Sequence, residues 1–292
     1  MGKRKKLNIM NHPLMHLVSY SGGHSSALVA IEVTRRFGRD NVILVNHDIS
    51  SRVENSDIKR FKNEVAGYLQ IPITYASHPD FENNDQFDVC IKAKAFQTQA
   101  GHQFCTSRLK TEPFHSFLEK EFPDKNCIIY YGFDIEEQER IARRAGILGN
   151  MGYKTDFPLA FWKERTITST REIGIEPPLS YGLWKHANCT GCLKAGKMHW
   201  YITFLTRKDL WEKAKLAEEI IGHAIIKKGE FLEDLEPDFK EFEKAGLCAT
   251  EHENPKAFFN RAKKIIANFQ MDFNDRIPCD CTGGINANKT GK

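Results

Sequence analysis

The sequence predicts an α/β fold, a three-layer sandwich on a mostly parallel sheet, followed by a C-terminal helical extension. Two features carry this expectation. Across the first half, short β-branched apolar runs alternate with amphipathic segments, the pattern left when parallel strands are buried under helices on both faces. After a long aperiodic stretch, helical periodicity then returns from Lys194 to Ile226.

Taken in order, Leu14 to Tyr20 (LMHLVSY) reads as the first strand. It ends in Ser21-Gly22-Gly23-His24-Ser25-Ser26, and Ala27 to Phe37 then carries apolar residues at helical spacing until Gly38 stops it. Val42 to Val45 is a second buried strand that ends at Asn46-His47-Asp48, and Glu54 to Leu69 is a helix with Phe61, Val65 and Leu69 on one face. Pro72 to Tyr75 is the third strand. A polar stretch with Asn83, Asn84 and Asp85 leads into Phe87 to Phe96, and Cys105 to Phe122 reads as a helix that Pro113 interrupts or starts. Cys127 to Phe133 is the fourth strand and Ile135 to Leu148 a charged helix. Tyr153 to Asn188 is richer in Pro, Gly and Trp than in periodic signal and reads as mostly loop around short elements, a length that usually carries function. The expected organisation is a basic segment at 1–13, a nucleotide-binding α/β domain at 14–205, a helical region at 206–274 and a flexible tail at 275–292.

With 292 residues, 41% hydrophobic and 27% charged, the chain can build one large core and is neither disordered nor collagen-like. No run of eighteen apolar residues occurs, and MGKRKKLNIMNHP has no apolar signal region or cleavage site, so a cytoplasmic chain that does not span a membrane is expected. Forty-two Lys and Arg against 38 Asp and Glu give a net charge of +4, which permits an anionic partner without requiring one. The Lys3 to Lys6 cluster is read either as a nucleic-acid contact or as a solvated, frayed end.

The glycine pair between a buried strand and a helix has a direct physical use. Without side chains, backbone N–H groups can face an anion at the positive end of the helix dipole, and Ser21, Ser25 and Ser26 add hydroxyl donors. The spacing fits neither the Walker loop nor the dinucleotide fingerprint. An ordinary Ser-Gly turn is the plainer alternative, against which its place after the first strand of an α/β pattern argues for phosphate. Arg108 and Lys110 on a helix start, with Arg140, Arg143 and Arg144 after a strand end, belong at the same carboxyl edge; for Arg143 and Arg144 a solvated helix face is the competing reading.

Ser21-Gly22-Gly23-His24-Ser25-Ser26 resembles the SGGxDS pyrophosphate loop of the PP-loop ATP pyrophosphatase superfamily, the adenine nucleotide alpha hydrolases, with Ser25 where the family has Asp. Later motifs resemble its phosphoadenosine phosphosulfate (PAPS) reductase branch. Val45-Asn46-His47-Asp48 matches a strand ending in Asn-Thr-Gly near the adenosine, and Cys105-Thr106-Ser107-Arg108-Leu109-Lys110-Thr111-Glu112-Pro113 matches the segment where cysteine precedes a basic pair and a proline. Gly132-Phe133-Asp134 with Glu137 and Arg140 matches a glycine-started helix carrying Glu and Arg. Phe157-Pro158-Leu159, Gly174-Ile175, Pro178, Tyr181 and Cys189-Thr190-Gly191-Cys192 match the stretch from Pro-Leu to Gly-Cys-x-x-Cys. The resemblance covers roughly residues 14 to 200 and implies an adenine nucleotide, ATP or PAPS-like, held by Ser21 to Ser26 with Asn46 and Asp48, with Mg2+ where ATP is cleaved. It implies catalytic roles for Arg108, Lys110, Glu137 and Arg140.

Eight cysteines in a chain expected to be reduced point away from disulfides. Cys127, inside the apolar run CIIYYGF, is read as core filling. Cys189-Thr190-Gly191-Cys192 sets two thiols one tight turn apart, half of a metal or cluster site. The resemblance adds Cys105 as a third ligand, with Cys90 as candidate fourth; Cys279 and Cys281 are a further pair in the tail. Three uses stay open: a [4Fe–4S] cluster, a redox or persulfide-carrying pair at Cys189 and Cys192, and structural zinc. The Glu-Cys-Gly-(Ile or Leu)-His string that carries the branch's nucleophile is absent from this sequence.

The expected function is therefore chemistry at an adenylyl phosphate or adenylylated sulfate with cysteine or iron–sulfur assistance, served by a thiol reductant or sulfur-donor protein. One alternative is an ATP-dependent sulfurtransferase that modifies nucleic acid. A second is a non-catalytic accessory protein that binds nucleotide or nucleic acid, in which Lys197, His199, Trp200, Tyr201, Arg207 and Lys208 form a strand-binding face; for those residues the competing reading is an amphipathic helix packed on the sheet.

Overall fold

The computed structural model describes residues 13–47, 49–186 and 189–275. Five strands, β1 (Met15–Ser19), β2 (Val42–His47), β3 (Ile73–Ala76), β4 (Cys127–Tyr130) and β5 (Lys154–Asp156), form one sheet in the order β3-β2-β1-β4-β5. Every pairing is parallel. This α/β architecture is the predicted one and is compatible with an adenine nucleotide alpha hydrolase-like fold. β5 lies inside the stretch read as mostly loop. It is a three-residue polar edge strand, Lys-Thr-Asp, with no apolar alternation to reveal it.

Period-two alternation sorts the strand side chains into two layers. Val18, Leu44 and Tyr130 pack on one face against α1 (His24–Phe37) and α2 (Ser56–Leu69), through Ala27, Ile31, Phe61 and Val65. Leu159 of the short α7 (Pro158–Phe161) packs against the same layer. Leu17, Val45 and Ile129 pack on the other face against α5 (Glu112–Glu121) and α6 (Gln138–Asn150), through Phe114, Leu118, Ile141 and Leu148. Each such fully buried apolar side chain contributes about 1.5–3 kcal/mol. α1 stops at Gly38, whose φ of 80° lets its N–H reach back to Thr34.

A third core joins α3 (Gln86–Ala93) to α8 (Lys197–Thr206), α9 (Lys208–Ile221), α10 (Leu232–Lys244) and α11 (Pro255–Asp275) around Phe87, Trp200, Trp211, Phe239 and Phe258. Lys213 of α9 anchors this unit on the capping carboxylates of α3, 2.7 Å from Asp85 and 2.5 Å from Asp88. Among the described residues no helix is long and apolar enough to cross a membrane. The Lys3 to Lys6 cluster and the tail, with Cys279 and Cys281, lie outside the described residues.

Candidate functional site

In a parallel sheet all carboxyl ends share one edge. β1 is central, and the chain leaves it toward β2 on one side and β4 on the other, the switch point where open α/β sheets bind ligands. The Ser21 to Ser26 turn lies there. Gly22 has φ +82°, the left-handed region that favours glycine, and a Cβ would stand 3.1 Å from Lys62 Cδ. Gly23 is the extended N-cap of α1 and supplies no side-chain cap, so the first-turn amides are left to outside acceptors. The helix starts at His24, one turn earlier than its apolar spacing suggests.

Inside the turn, Ser26 Oγ donates to Gly23 O at 2.8 Å and Ser21 Oγ to Ser26 Oγ at 3.3 Å. The His24 N–H donates to the Tyr181 hydroxyl at 3.0 Å, and His24 Nε2 accepts from Thr170 N–H at 3.3 Å, so the 170–181 segment lies against the loop. Gly132, after β4, touches it backbone to backbone: a Cβ there would fall 2.9 Å from Ser25 C and Ser26 N. Asn46 is buried and donates to Tyr20 O at 2.6 Å, tying the end of β2 to the turn. Asp48 lies outside the described residues. Beneath the turn the buried Lys62 pairs with Glu54 at 2.5 Å, and Tyr20 donates to the Lys62 carbonyl.

The cysteines come together from three segments. Cys90 of α3 hydrogen-bonds to Cys105 of α4 (Phe104–Thr106), and this bond, helped by Lys110, Thr106 and Lys194, brings the Cys105 thiol down to about 7 against the effect of burial. The same bond, with burial, pushes Cys90 up. Lys110 is raised by Cys189, Cys192 and Cys105, in that order, and so faces all three sulfurs. Burial pushes both Cys189 and Cys192 up, and Lys110 opposes the rise.

A π-helical turn at Ser107–Thr111 makes this possible. In a regular α-helix residues i and i+5 point about 140° apart, whereas the wider i→i+5 turn brings Cys105 and Lys110 toward one face. Such turns recur at functional sites.

The Cys189 to Cys192 loop is clamped. Gly191 has φ +72°, with a would-be Cβ 3.1 Å from Phe87 Cζ. The Gly191 and Cys192 N–H groups both donate to His199 Nε2 at 3.1 Å, and His199 Nδ1 lies 2.6 Å from Glu251, so the neutral ring donates from Nδ1 and accepts at Nε2. Despite burial, the bond to His199 holds the Glu251 carboxyl below its ordinary range. Gln86 donates to Thr190 O and Gly191 O at 2.9 and 3.1 Å. Among the described residues no three His, Cys, Asp or Glu side chains stand grouped to hold a metal ion, and the two loop amides serve an imidazole.

The predicted basic residues divide. Arg108 pairs with Glu112 at 2.6 Å on the surface, and Arg140 pairs with Glu137 while its guanidinium lies 4.3 Å over the Phe133 ring. Glu137 also accepts the Asp134 N–H at 3.0 Å, capping its own helix. Arg144, one turn beyond Arg140, lies 5.5 Å over Tyr131 and, with Lys110, acts on His47 at the end of β2. Burial first, then these two cations, pushes His47 down to about 3. Its Nδ1 and the Nε2 of His115 are buried with no partner among the described residues.

His199, Trp200 and Tyr201 are buried, Arg207 pairs with Asp209, and Lys208 caps the Phe204 ring at 3.2 Å, so the aromatic rings of α8 are packed inside; the helix is buried as the competing reading has it, but in the helical core with α9 and α10 and not on the sheet. Cys127 fills core inside β4, its thiol pushed up to about 11 by burial. Sequence reasoning missed Lys62, His47, Gln86, His199 as loop clamp and the Glu251 behind it. The available signals were a lysine beside Phe61 on an apolar helix face and a histidine seven residues beyond Cys192.

No family model matches the chain. Over 208 residues it is 27% identical to an uncharacterized nin region protein, ORF290, of Escherichia phage lambda; the match covers 62% of this chain and 66% of the phage protein, just under two thirds of that protein's length.

Proposed function

We propose that this chain is an adenine-nucleotide-dependent enzyme that uses a cysteine thiolate on an adenylyl phosphate or adenylylated sulfate. The observation that carries the reading is convergence on one sheet edge: the glycine turn opens there, and Lys110 links His47 at the end of β2 to Cys105, Cys189 and Cys192. Phosphates seated on the first-turn amides of α1 meet the positive end of a fourteen-residue helix.

Cys105 is assigned the nucleophile. Its thiol is the one held low, it has a hydrogen-bond donor in Cys90, and the branch's usual tail cysteine string is missing. On a sulfate–phosphate anhydride the thiolate attacks sulfur, the adenosine phosphate leaves with the bridging oxygen, and a second thiol attacks Cys105 sulfur to release sulfite and leave a disulfide. On ATP, adenylation of the acceptor releases pyrophosphate, the outer sulfur of a cysteine persulfide loaded by a sulfur-donor protein attacks the acceptor and expels AMP, and a second thiol attacks the remaining cysteine sulfur, leaving a disulfide and the thiolated product. Ser25 in place of Asp removes one carboxylate that Mg2+ would use, which favours the version without ATP cleavage. A cluster would draw on Cys105, Cys189, Cys192 and Cys90, but among the described residues these side chains do not stand grouped as a metal site.

Calorimetry with ATP, AMP and PAPS tests the proposal. At least one must bind; if none does, the reading fails. Binding without turnover would leave the accessory-protein reading. Anaerobic metal and acid-labile sulfide analysis checks the thiol assignment, because a brown protein carrying sulfide moves the chemistry to a cluster.

A further inference from the structure

Cys90 and Cys105 stand on either side of the stem of a small hairpin. α3 ends at Lys94, which is left-handed with φ 53°, and the Ala95 N–H then returns to the Cys90 carbonyl at 3.1 Å. Gln97 and Gln103 pair as an antiparallel bridge, and the Thr98 N–H donates to His102 O at 2.8 Å. At the stem the Phe96 carbonyl accepts from the Phe104 N–H at 3.1 Å and from the Cys90 thiol at 3.9 Å. One oxygen therefore holds the thiol of residue 90 beside the backbone that carries residue 105. The two side chains pack together in the helical core and share a hydrogen bond.

Cys189 and Cys192 stand in a different relation to Cys105. They act with it through charge, and their loop is fixed by the bonds from its amides to His199 and from Gln86 to its carbonyls. A sulfur already in hydrogen-bond contact has the shorter path to attack. Access differs too: Cys105 is half-buried and Cys90 has no exposed surface, so an outside molecule meets Cys105 first.

We propose that Cys90 is the second thiol of the centre: once Cys105 carries the transferred group, Cys90 attacks its sulfur and the chain closes a Cys90–Cys105 disulfide. The proposal deepens the reading of Cys105 as nucleophile, on which it rests. In the sulfate version the Cys90 S–H bond and the bond from Cys105 to the sulfonate break, the bond between the two cysteines forms, and sulfite leaves with the electron pair and the proton. The two thiols lose two electrons and the sulfonate sulfur gains them. In the persulfide version the same attack frees the thiolated acceptor. A dithiol reductant reopens the pair at Cys105: its first thiol displaces Cys90, and its second then displaces Cys105, leaving the reductant as the disulfide.

Oxidised glutathione added to the reduced full chain tests the pairing without a nucleotide. Cys105 attacks it and takes up glutathione, releasing one reduced glutathione, and Cys90 then displaces the other. Tryptic mapping after acid quenching reads the outcome, because Cys90 falls in peptide 63–92, Cys105 in 95–108, and Cys189 with Cys192 in 186–194. The wild type gives a cross-link between 63–92 and 95–108, and Cys90→Ser holds glutathione on Cys105 at a level at least about tenfold higher. A wild-type map without that cross-link overturns the proposal, whether glutathione stays on Cys105 or the disulfide lies within 186–194. The wild-type map decides even if Cys90→Ser fails to fold. Incubation with PAPS keeps the two readings apart. If glutathione yields the cross-link but PAPS gives neither sulfite from the wild type nor a sulfonate on Cys105 in Cys90→Ser, the sulfate chemistry fails and the pairing stands.

Discussion

Replacing Gly23 with Asp separates phosphate binding from folding. Gly23 has φ −86° and ψ 160°, ordinary extended backbone, and it occupies the N-cap of α1 without a side-chain cap. An aspartate there can accept from the N–H groups of Ser25 and Ser26. This is worth a few tenths of a kcal/mol over glycine, with about 0.3–1 kcal/mol more from the helix dipole. The folded state should hold or gain stability. The same carboxylate takes the amides a phosphate would use and sets a negative charge about 4 Å from it, a repulsion of about 1 kcal/mol in bulk water and about 4 kcal/mol at a protein surface. Losing the amides as well, the variant should bind ATP, AMP or PAPS at least about a hundredfold more weakly by calorimetry, while its melting temperature stays at or above wild type. Gly23→Ala, which adds no charge, should keep most of the affinity. Unchanged affinity in a well-folded Gly23→Asp protein would refute phosphate binding at this turn.

Gly132→Ala drives a methyl to 2.9 Å from the Ser25–Ser26 backbone, so the first turn of α1 must shift; urea melts should show about 1–3 kcal/mol of lost stability, and nucleotide affinity should fall with it. Iodoacetamide labelling of Cys105, followed by peptide mapping, should rise with pH about a midpoint near 7; Cys90→Ala moves that midpoint up and Lys110→Met moves it up as well, and a wild-type midpoint at the ordinary thiol value of about 8.5 contradicts the assignment. His47 is lowered from 6.5 to about 3, so between those values the unfolded chain binds a proton that the folded chain refuses; stability should drop as pH falls through this window by up to about 1.4 kcal/mol per unit, and His47→Gln should flatten the slope, with His16, His24 and His115 acting in the same direction.

Periodicity and turn chemistry account for the part of the molecule that was legible in the sequence. Four of the strands, the Ser21 to Ser26 turn and the helices on either side announce themselves through apolar spacing, and Gly38 and the Cys-x-x-Cys spacing are local signals that need no tertiary knowledge. The remainder depends on tertiary contact. β5 has no apolar face of its own and is a strand only because β4 offers an edge. His199 looks like part of a basic aromatic surface when α8 is read alone, yet Trp184 and Glu251 from distant loops cover the ring and its Nε2 takes the amides of Gly191 and Cys192. Arg140 matched a motif, whereas the guanidinium that acts on His47 belongs to Arg144, one turn further on, and only the docking of α6 on the sheet decides between them.

The widened turn at Ser107–Thr111 carries a consequence for how the segment can change in length. Deleting Ser107, Arg108 or Leu109 would let an unbroken α-helix run from Phe104 into α5, with Cys105 and the lysine then four places apart and about 40° from each other. The ammonium group would stay on the side of the Cys105 sulfur, because the wide turn takes up one residue while nearly keeping the phase of the helix on either side. Chains that differ by one residue in this segment can therefore present the same side chains on the same face, and an alignment of them needs a gap here.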